Sequence, residues 1–316
     1  MEIVDRLLAG DQRALARAIS LVESRADEAR EVLRALFPRT GGARVIGITG
    51  FPGCGKSSLA DRLTAHYRAQ GKSVGVLAVD PSSAFSGGAI LGDRIRMQRH
   101  SADPGVFIRS MATRGALGGL SKAAFDAVDI LDGSGREVIL LETVGVGQDE
   151  VDVVRVAGCV LVVLVPGLGD DIQAIKAGIL EIADIFVINK ADREGADRLQ
   201  TELEAMLGMV RWDGEGKAGR PEIVRTVAVR DEGTVELAEA IGRRLGHGGA
   251  WGRQRRREQC ATRFLELLRD RLLDRTLDAC LKEAELEELV GGIADRLIDP
   301  YSAVEEVIGR VRFGES

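Results

Sequence analysis

The stretch GITGFPGCGKSSLADRL, Gly47 to Leu63, decides how the rest of the chain is read. An apolar run, Val45 to Ile48, leads into a loop holding Gly50, Pro52, Gly53 and Gly55, and a helical pattern with Leu59, Leu63 and Tyr67 follows. So much backbone freedom between a strand and a helix is normally avoided unless something must approach the main chain closely. Gly50, Gly55, Lys56 and Ser57 fit G-x-x-x-x-G-K-[ST] at every fixed position, the spacing of a phosphate-binding loop. The expected site comprises Gly50, Phe51, Pro52, Gly53, Cys54, Gly55, Lys56, Ser57 and Ser58. Its backbone N–H groups and the helix N-terminus would surround a β-phosphate. Lys56 would reach the β- and γ-phosphates, and the Ser57 hydroxyl would be a Mg²⁺ ligand.

Short β-branched runs alternate with helical patterns on both sides of this loop. The expected strands are 44–49, 74–79, 106–109, 137–142, 159–165, 184–189 and 223–229. Runs such as VLVVLV and EVILLE are apolar without alternation, as strands buried on both faces of a parallel sheet are. The fold class is therefore α/β, a three-layer P-loop domain with a mostly parallel sheet and right-handed crossovers. Residues 2–37 read as helices, ended by Pro38 and the Thr40-Gly41-Gly42 turn. After Gly246 the composition turns almost purely helical, with Phe264, Leu265, Leu267, Leu268, Leu272, Leu273 and Leu277 as its apolar positions. Such a tail is too narrow for its own core and should pack on the α/β domain or on another subunit. The expected organisation is a helical extension over 1–40, the P-loop domain over 41–248 and a helical arm over 249–316.

Composition narrows the classes of function. The 316 residues are 45% hydrophobic and 29% charged, with net charge −6, which speaks against a nucleic-acid binder. The N-terminus lacks the apolar segment of a signal peptide, and the longest apolar run is only strand-sized, so a cytoplasmic protein with no membrane partner is expected. The four cysteines (Cys54, Cys159, Cys260, Cys280) form no CxxC, and His66, His100 and His247 are isolated, which disfavours disulfides and a zinc site. The run Arg253 to Arg257, at a helical start among acids, reads as a solvated or partner-facing face. Cys54 has two readings: a thiol at the loop mouth, activated by Lys56 and the helix N-terminus and more reactive than Cys159, or a side chain packed away from the phosphates.

The base and the metal are sought at other strand ends. In Asn189-Lys190-Ala191-Asp192, the Asp192 carboxylate can accept guanine N1–H and N2–H₂, donors that adenine lacks at those positions. The Lys190 stem can lie over the base and Asn189 can tie neighbouring loops together. Ala228 and Val229 would offer backbone amides near the guanine O6. Glu142 ends an apolar strand where a carboxylate holds Mg²⁺, most often through a water. Gln148 could orient the attacking water or be a surface glutamine. Asp80 at a strand end and Asp93 at the head of a helix flank a segment rich in small residues, a composition suited to a nucleotide-sensing switch, although Asp93 also fits an N-cap. The expected metal set is thus Ser57, Asp80, Asp93 and Glu142.

GFPGCGKSS, VDPSSAFSGGAILGDRIRM, ETVGVGQDEVDV, VPGLGDDIQAIKAG, NKAD and DPYSAVEEVI together resemble the MeaB/ArgK family of SIMIBI-class P-loop GTPases, over essentially the whole chain. The resemblance implies a homodimeric GTPase that uses GTP/GDP and Mg²⁺ and acts as chaperone of an adenosylcobalamin-dependent acyl-CoA mutase, gating cofactor loading and protecting the mutase. It places Asp80 and Asp93 in a first switch, 142–150 in a second and 166–178 in a third that contacts the mutase, with Lys176 as a nucleotide-coupled lysine. It also implies dimerisation through the C-terminal arm. Two rivals stand beside it: a metal-delivery GTPase of the same superfamily, which would need a Cys- or His-rich ligand segment, and a P-loop kinase, which generally lacks N-K-x-D.

Overall fold

The computed structural model describes residues 2–80, 98–100, 102–112, 119–143, 155–167, 182–210, 219–246, 250–281 and 283–310. Seven strands, β1 (Arg44–Thr49), β2 (Val74–Asp80), β3 (Val106–Ala112), β4 (Val138–Thr143), β5 (Cys159–Leu164), β6 (Ile185–Asn189) and β7 (Glu222–Thr226), form one sheet in the order β3-β2-β4-β1-β5-β6-β7. Every neighbouring pair is parallel. The chain leaves β1 for β2 two places away, and β4 later fills the gap between them. β1 therefore lies between β4 and β5, and the strand-end residues of all three meet at one edge.

Both faces of the sheet are covered, so β4, β5 and β6 are buried throughout. Along β5, Val160, Val162 and Leu164 point into one core while Cys159, Leu161 and Val163 point into the other, the period-2 alternation of a pleated strand. The first core takes Leu7 of α1 (Glu2–Leu8), Ile19 of α2 (Gln12–Glu23), Leu36 of α3 (Asp27–Leu36), Leu131 of α5 (Gly119–Gly133) and Leu203 of α6 (Ala196–Met209). The second takes Leu59, Leu63 and Tyr67 of α4 (Lys56–Ala69) and Leu237 and Ile241 of α7 (Thr234–Gly246). The three N-terminal helices thus share the core of the α/β sheet.

The strand expected over 223–229 ends earlier, at Thr226. Residues Ala228–Arg230 form a 3-10 turn, closed by Asp231 in the left-handed region at φ 61°. An antiparallel bridge between Val227 and Glu232 folds the chain back there, so it cannot extend the sheet.

The chain divides into two compact units, Met1–Arg256 and Arg257–Ser316. The division falls within α8 (Ala250–Cys280), which is followed by α9 (Glu283–Ala294) and α10 (Pro300–Arg310). α10 starts with Pro300 at its first position and the Asp299 carboxylate accepting from the Tyr301 and Ser302 amides at 3.0 and 3.1 Å, the usual way of satisfying orphan donors at a helix start. Among the described residues of the second unit, Ala303 alone is buried, while Phe264, Leu265, Leu273 and Tyr301 are exposed. No described helix is long and apolar enough to cross a membrane.

Candidate nucleotide site

The phosphate-loop sequence spans the turn from β1 to α4. Its glycines answer to the chain's own atoms. Gly50 has φ 139°, and a Cβ there would lie 2.2 Å from the Val163 carbonyl oxygen on β5. Gly55 has φ 98°, and a Cβ would lie 2.3 Å from the Asn189 side-chain nitrogen. Two of the loop glycines are thus required by close packing against neighbouring strand ends as well as by their backbone conformation.

Lys56, buried at the start of α4, donates from Nζ to the Gly50 carbonyl at 2.6 Å and the Phe51 carbonyl at 3.0 Å. The ammonium is held at the centre of the loop, where incoming anionic oxygens could replace those carbonyls. One residue on, the Ser57 hydroxyl donates to Glu142 Oε1 at 2.6 Å. Register explains this meeting: Glu142 pairs with Ile48 on β1 and with Ala78 on β2. Next to it, the Thr143 hydroxyl donates to the Thr49 hydroxyl at 3.1 Å. Ser57 and Glu142 are both buried. A hydroxyl and a carboxylate brought together are the hard oxygen donors that suit Mg²⁺. Asp80 closes β2, opposite Ala112 of β3. Asp93, Gln148 and Lys176 lie outside the described residues.

Asn189 is the joint of the site. Its side-chain N–H donates to the Cys54 carbonyl at 2.8 Å, and its Oδ1 accepts from the Ala228 amide and the Thr226 hydroxyl, both at 3.1 Å. The Ala228 amide expected to face guanine O6 is therefore engaged by Asn189, and Val229 is the next residue along that turn. Lys190, at φ 56°, donates from Nζ to the Gly53 carbonyl at 2.7 Å, laying its stem alongside the phosphate loop. Asp192 pairs with Arg230.

Cys54 takes the second of its two readings. Its side chain is fully buried beside Ile46, Ile48 and Leu59, because the turn that directs its carbonyl to Asn189 directs its sulfur under the loop. Burial also pushes the Cys159 thiol well above its ordinary range. In the basic run Arg253, Gln254, Arg256 and Arg257 are exposed, and Arg255 is the exception. Arg255 reaches in to Asp184 at 2.8 Å, and Arg244 meets the same carboxylate at 2.9 Å.

Two arginines of the site carry no motif. Arg62, on α4, donates to the Ala228 carbonyl at 2.8 Å and the Val229 carbonyl at 3.1 Å, joining the phosphate-loop helix to the turn after β7. Arg230 lies on that turn. The one hint in the sequence was that Arg62 follows the loop on the face of α4 next to Leu63.

A parallel sheet with a glycine loop leading into α4, a buried Lys-Ser pair, a carboxylate on the adjacent strand and an N-K-x-D strand end joined to the loop define a P-loop GTPase. The family described as "Methylmalonyl Co-A mutase-associated GTPase MeaB" matches residues 15–280. The chain is 49% identical to a protein of Pyrococcus abyssi named as a GTPase, over 98% of this chain and 96% of that one. It is 38% identical to the mouse mitochondrial "Methylmalonic aciduria type A homolog" over 75% of this chain and 62% of the mouse protein. Among solved structures, one titled as a LAO/AO transport system kinase superposes with TM-score 0.68 at 25% identity, covering 98% of this chain and 96% of the other. The chain belongs to the MeaB family of GTPases.

Proposed function

We propose that this chain is a Mg²⁺-dependent GTPase that works as a homodimeric, cytoplasmic chaperone of an adenosylcobalamin-dependent acyl-CoA mutase, methylmalonyl-CoA mutase first among them. In this reading it gates cofactor loading and protects the mutase from inactivation. The observation that carries the nucleotide part is Asn189, which links the phosphate loop to both base-side loops through Cys54, Thr226 and Ala228. The mutase part rests on the family's description and on the mouse relative's name. The dimer draws support from the exposed Phe264, Leu265, Leu273 and Tyr301, large apolar side chains of the kind that interfaces cover.

The residues divide the work between two ends of the nucleotide. Lys56 exchanges the Gly50 and Phe51 carbonyls for phosphate oxygens and neutralises charge that grows as the γ-phosphoryl departs. Ser57, Glu142 and Asp80 would hold the metal, which supplies further neutralisation of the phosphates when bound. Asp192 accepts from guanine N1–H and N2–H₂, and Lys190 covers the base plane. The phosphate loop, residues 50–57, carries no arginine of its own, so hydrolysis by the isolated chain is expected to be slow and to need its partner.

Single-turnover GTP hydrolysis with and without purified mutase tests the proposal. Free phosphate, released faster when the mutase is present, is the expected result. A phosphorylated acceptor would assign the kinase reading instead, and a rate indifferent to every acyl-CoA mutase would remove the chaperone role. The metal-delivery rival would need a CxC, CxxC or His-rich ligand segment, and the sequence carries none.

A further inference from the structure

The carboxylate assigned to guanine is already engaged. Asp192 sits in the loop after β6, which is pinned by the Ala191 amide donating to the Thr226 carbonyl at 3.1 Å. Arg230 ends the turn after β7, held by the Val227 amide donating to the Glu232 carbonyl at 3.0 Å. Two loops with anchored backbones thus face each other, and the Arg230 guanidinium donates from Nη2 to Asp192 Oδ2. On the other side of the same guanidinium, Nη1 lies 3.7 Å from Glu232 Oε1.

A guanidinium and the Watson–Crick edge of guanine make the same offer to a carboxylate. Each carries N–H groups on adjacent nitrogens bonded to one trigonal carbon, giving parallel donors in one plane. Guanine needs both carboxylate oxygens for its two donors, and Arg230 already holds one of them, Oδ2. We propose that Arg230 is a resident competitor for the guanine-recognition carboxylate: it holds Asp192 Oδ2, and a guanine nucleotide binds by displacing it toward Glu232. This deepens the guanine reading given above and rests on it.

Three consequences follow from the geometry. GTP and GDP are affected alike, because the competition is at the base. Adenine nucleotides are not affected, because adenine offers no donor pair to Asp192. The sign is also opposite to that of simple electrostatics, since deleting a cation near an anionic ligand should weaken binding of every nucleotide. The pair is about half exposed, at 54% for Arg230 and 36% for Asp192, so its hold on the carboxylate is modest.

Calorimetric titration of GDP and ADP into the full chain, the Arg230→Ala variant, Asp192→Asn and the double variant tests this. Arg230→Ala is expected to bind GDP about three- to fivefold more tightly, with ADP unchanged and the gain shrinking at high salt. In the Asp192→Asn background the same arginine deletion should bring no gain, because the two residues act through one contact. Equal or weaker GDP binding by Arg230→Ala, with Asp192→Asn still reducing guanine preference, would overturn the competitor while leaving the guanine reading standing. An unchanged GDP-to-ADP ratio in Asp192→Asn would overturn the guanine reading and this inference together.

Discussion

The two edges of the parallel sheet each bury a carboxylate, and they treat it differently. At the edge where the strands end, Glu142 meets the Ser57 hydroxyl. At the edge where they begin, Asp184 accepts from Arg244, from Arg255 and from the Val160 amide at 2.8 Å. Both are buried, Glu142 at 7% exposure and Asp184 at 4%. Two guanidinium groups and an amide satisfy Asp184 from within the chain, so its charge holds structure together. The described partners of Glu142 include a hydroxyl, that of Ser57, which a cation could share. The difference teaches that burial of a charge does not by itself mark function; the chemistry of its partners does.

The largest expected effect tests the strand-end carboxylate. Glu142→Gln should lower the rate of GTP hydrolysis by about 10²- to 10³-fold, the usual cost of removing one group that stabilises developing charge. Its thermal midpoint should stay near that of the parent. A hydrolysis rate within about threefold of the parent would remove Glu142 from the chemistry.

Asp184→Asn should show the reverse pattern. Leaving Arg244 and Arg255 without their carboxylate is expected to cost about 3 kcal/mol of unfolding free energy in denaturant titration. GDP affinity of the folded variant should be unchanged, because the site lies at the other edge of the sheet. A variant as stable as the parent but defective in GDP binding would invert the comparison.

Asn189→Ala combines the two kinds of effect. Losing partners for the Cys54 carbonyl, the Thr226 hydroxyl and the Ala228 amide should cost about 2 kcal/mol of stability, from leaving buried polar groups unsatisfied. It should also weaken GDP binding by about tenfold, because the phosphate loop and the base loop lose their common anchor. Stability loss with full GDP affinity would show that the joint serves the fold alone.

The smallest effect concerns Cys54. Exposed Cys260 should alkylate first, with buried Cys54 and Cys159 both protected in the empty protein. Mass-spectrometric labelling rates check this. If Cys54 labelled as fast as Cys260 and GDP blocked it, the loop would open far enough in solution to expose its core side.

Much of the fold was legible because the signals behind it are local. The glycine-lysine-serine spacing predicted the turn from β1 to α4, and apolar runs such as Val160 to Val165 marked strands with both faces covered. Six of the seven strands lie within a few residues of their expected places. The seventh, β7, ends three residues sooner than its apolar run suggests, because the bridge that turns Val227 back on Glu232 leaves residues 227–229 looking like any β-branched run.

The sequence by itself determined most of the elements and the course of the loop between β1 and α4, since propensity, periodicity and motif spacing act over a few residues. Only the tertiary structure decided who meets whom. Placing β4 against β1 brings Glu142 to Ser57 across 85 residues of chain, and Asn189 reaches Cys54 across 135. The direction of the Cys54 side chain, the inward turn of Arg255 onto Asp184 and the pairing of Arg230 with Asp192 belong to the same class. Each is set by strand order and loop closure, which align segments far apart in sequence and leave no periodic trace in either of them.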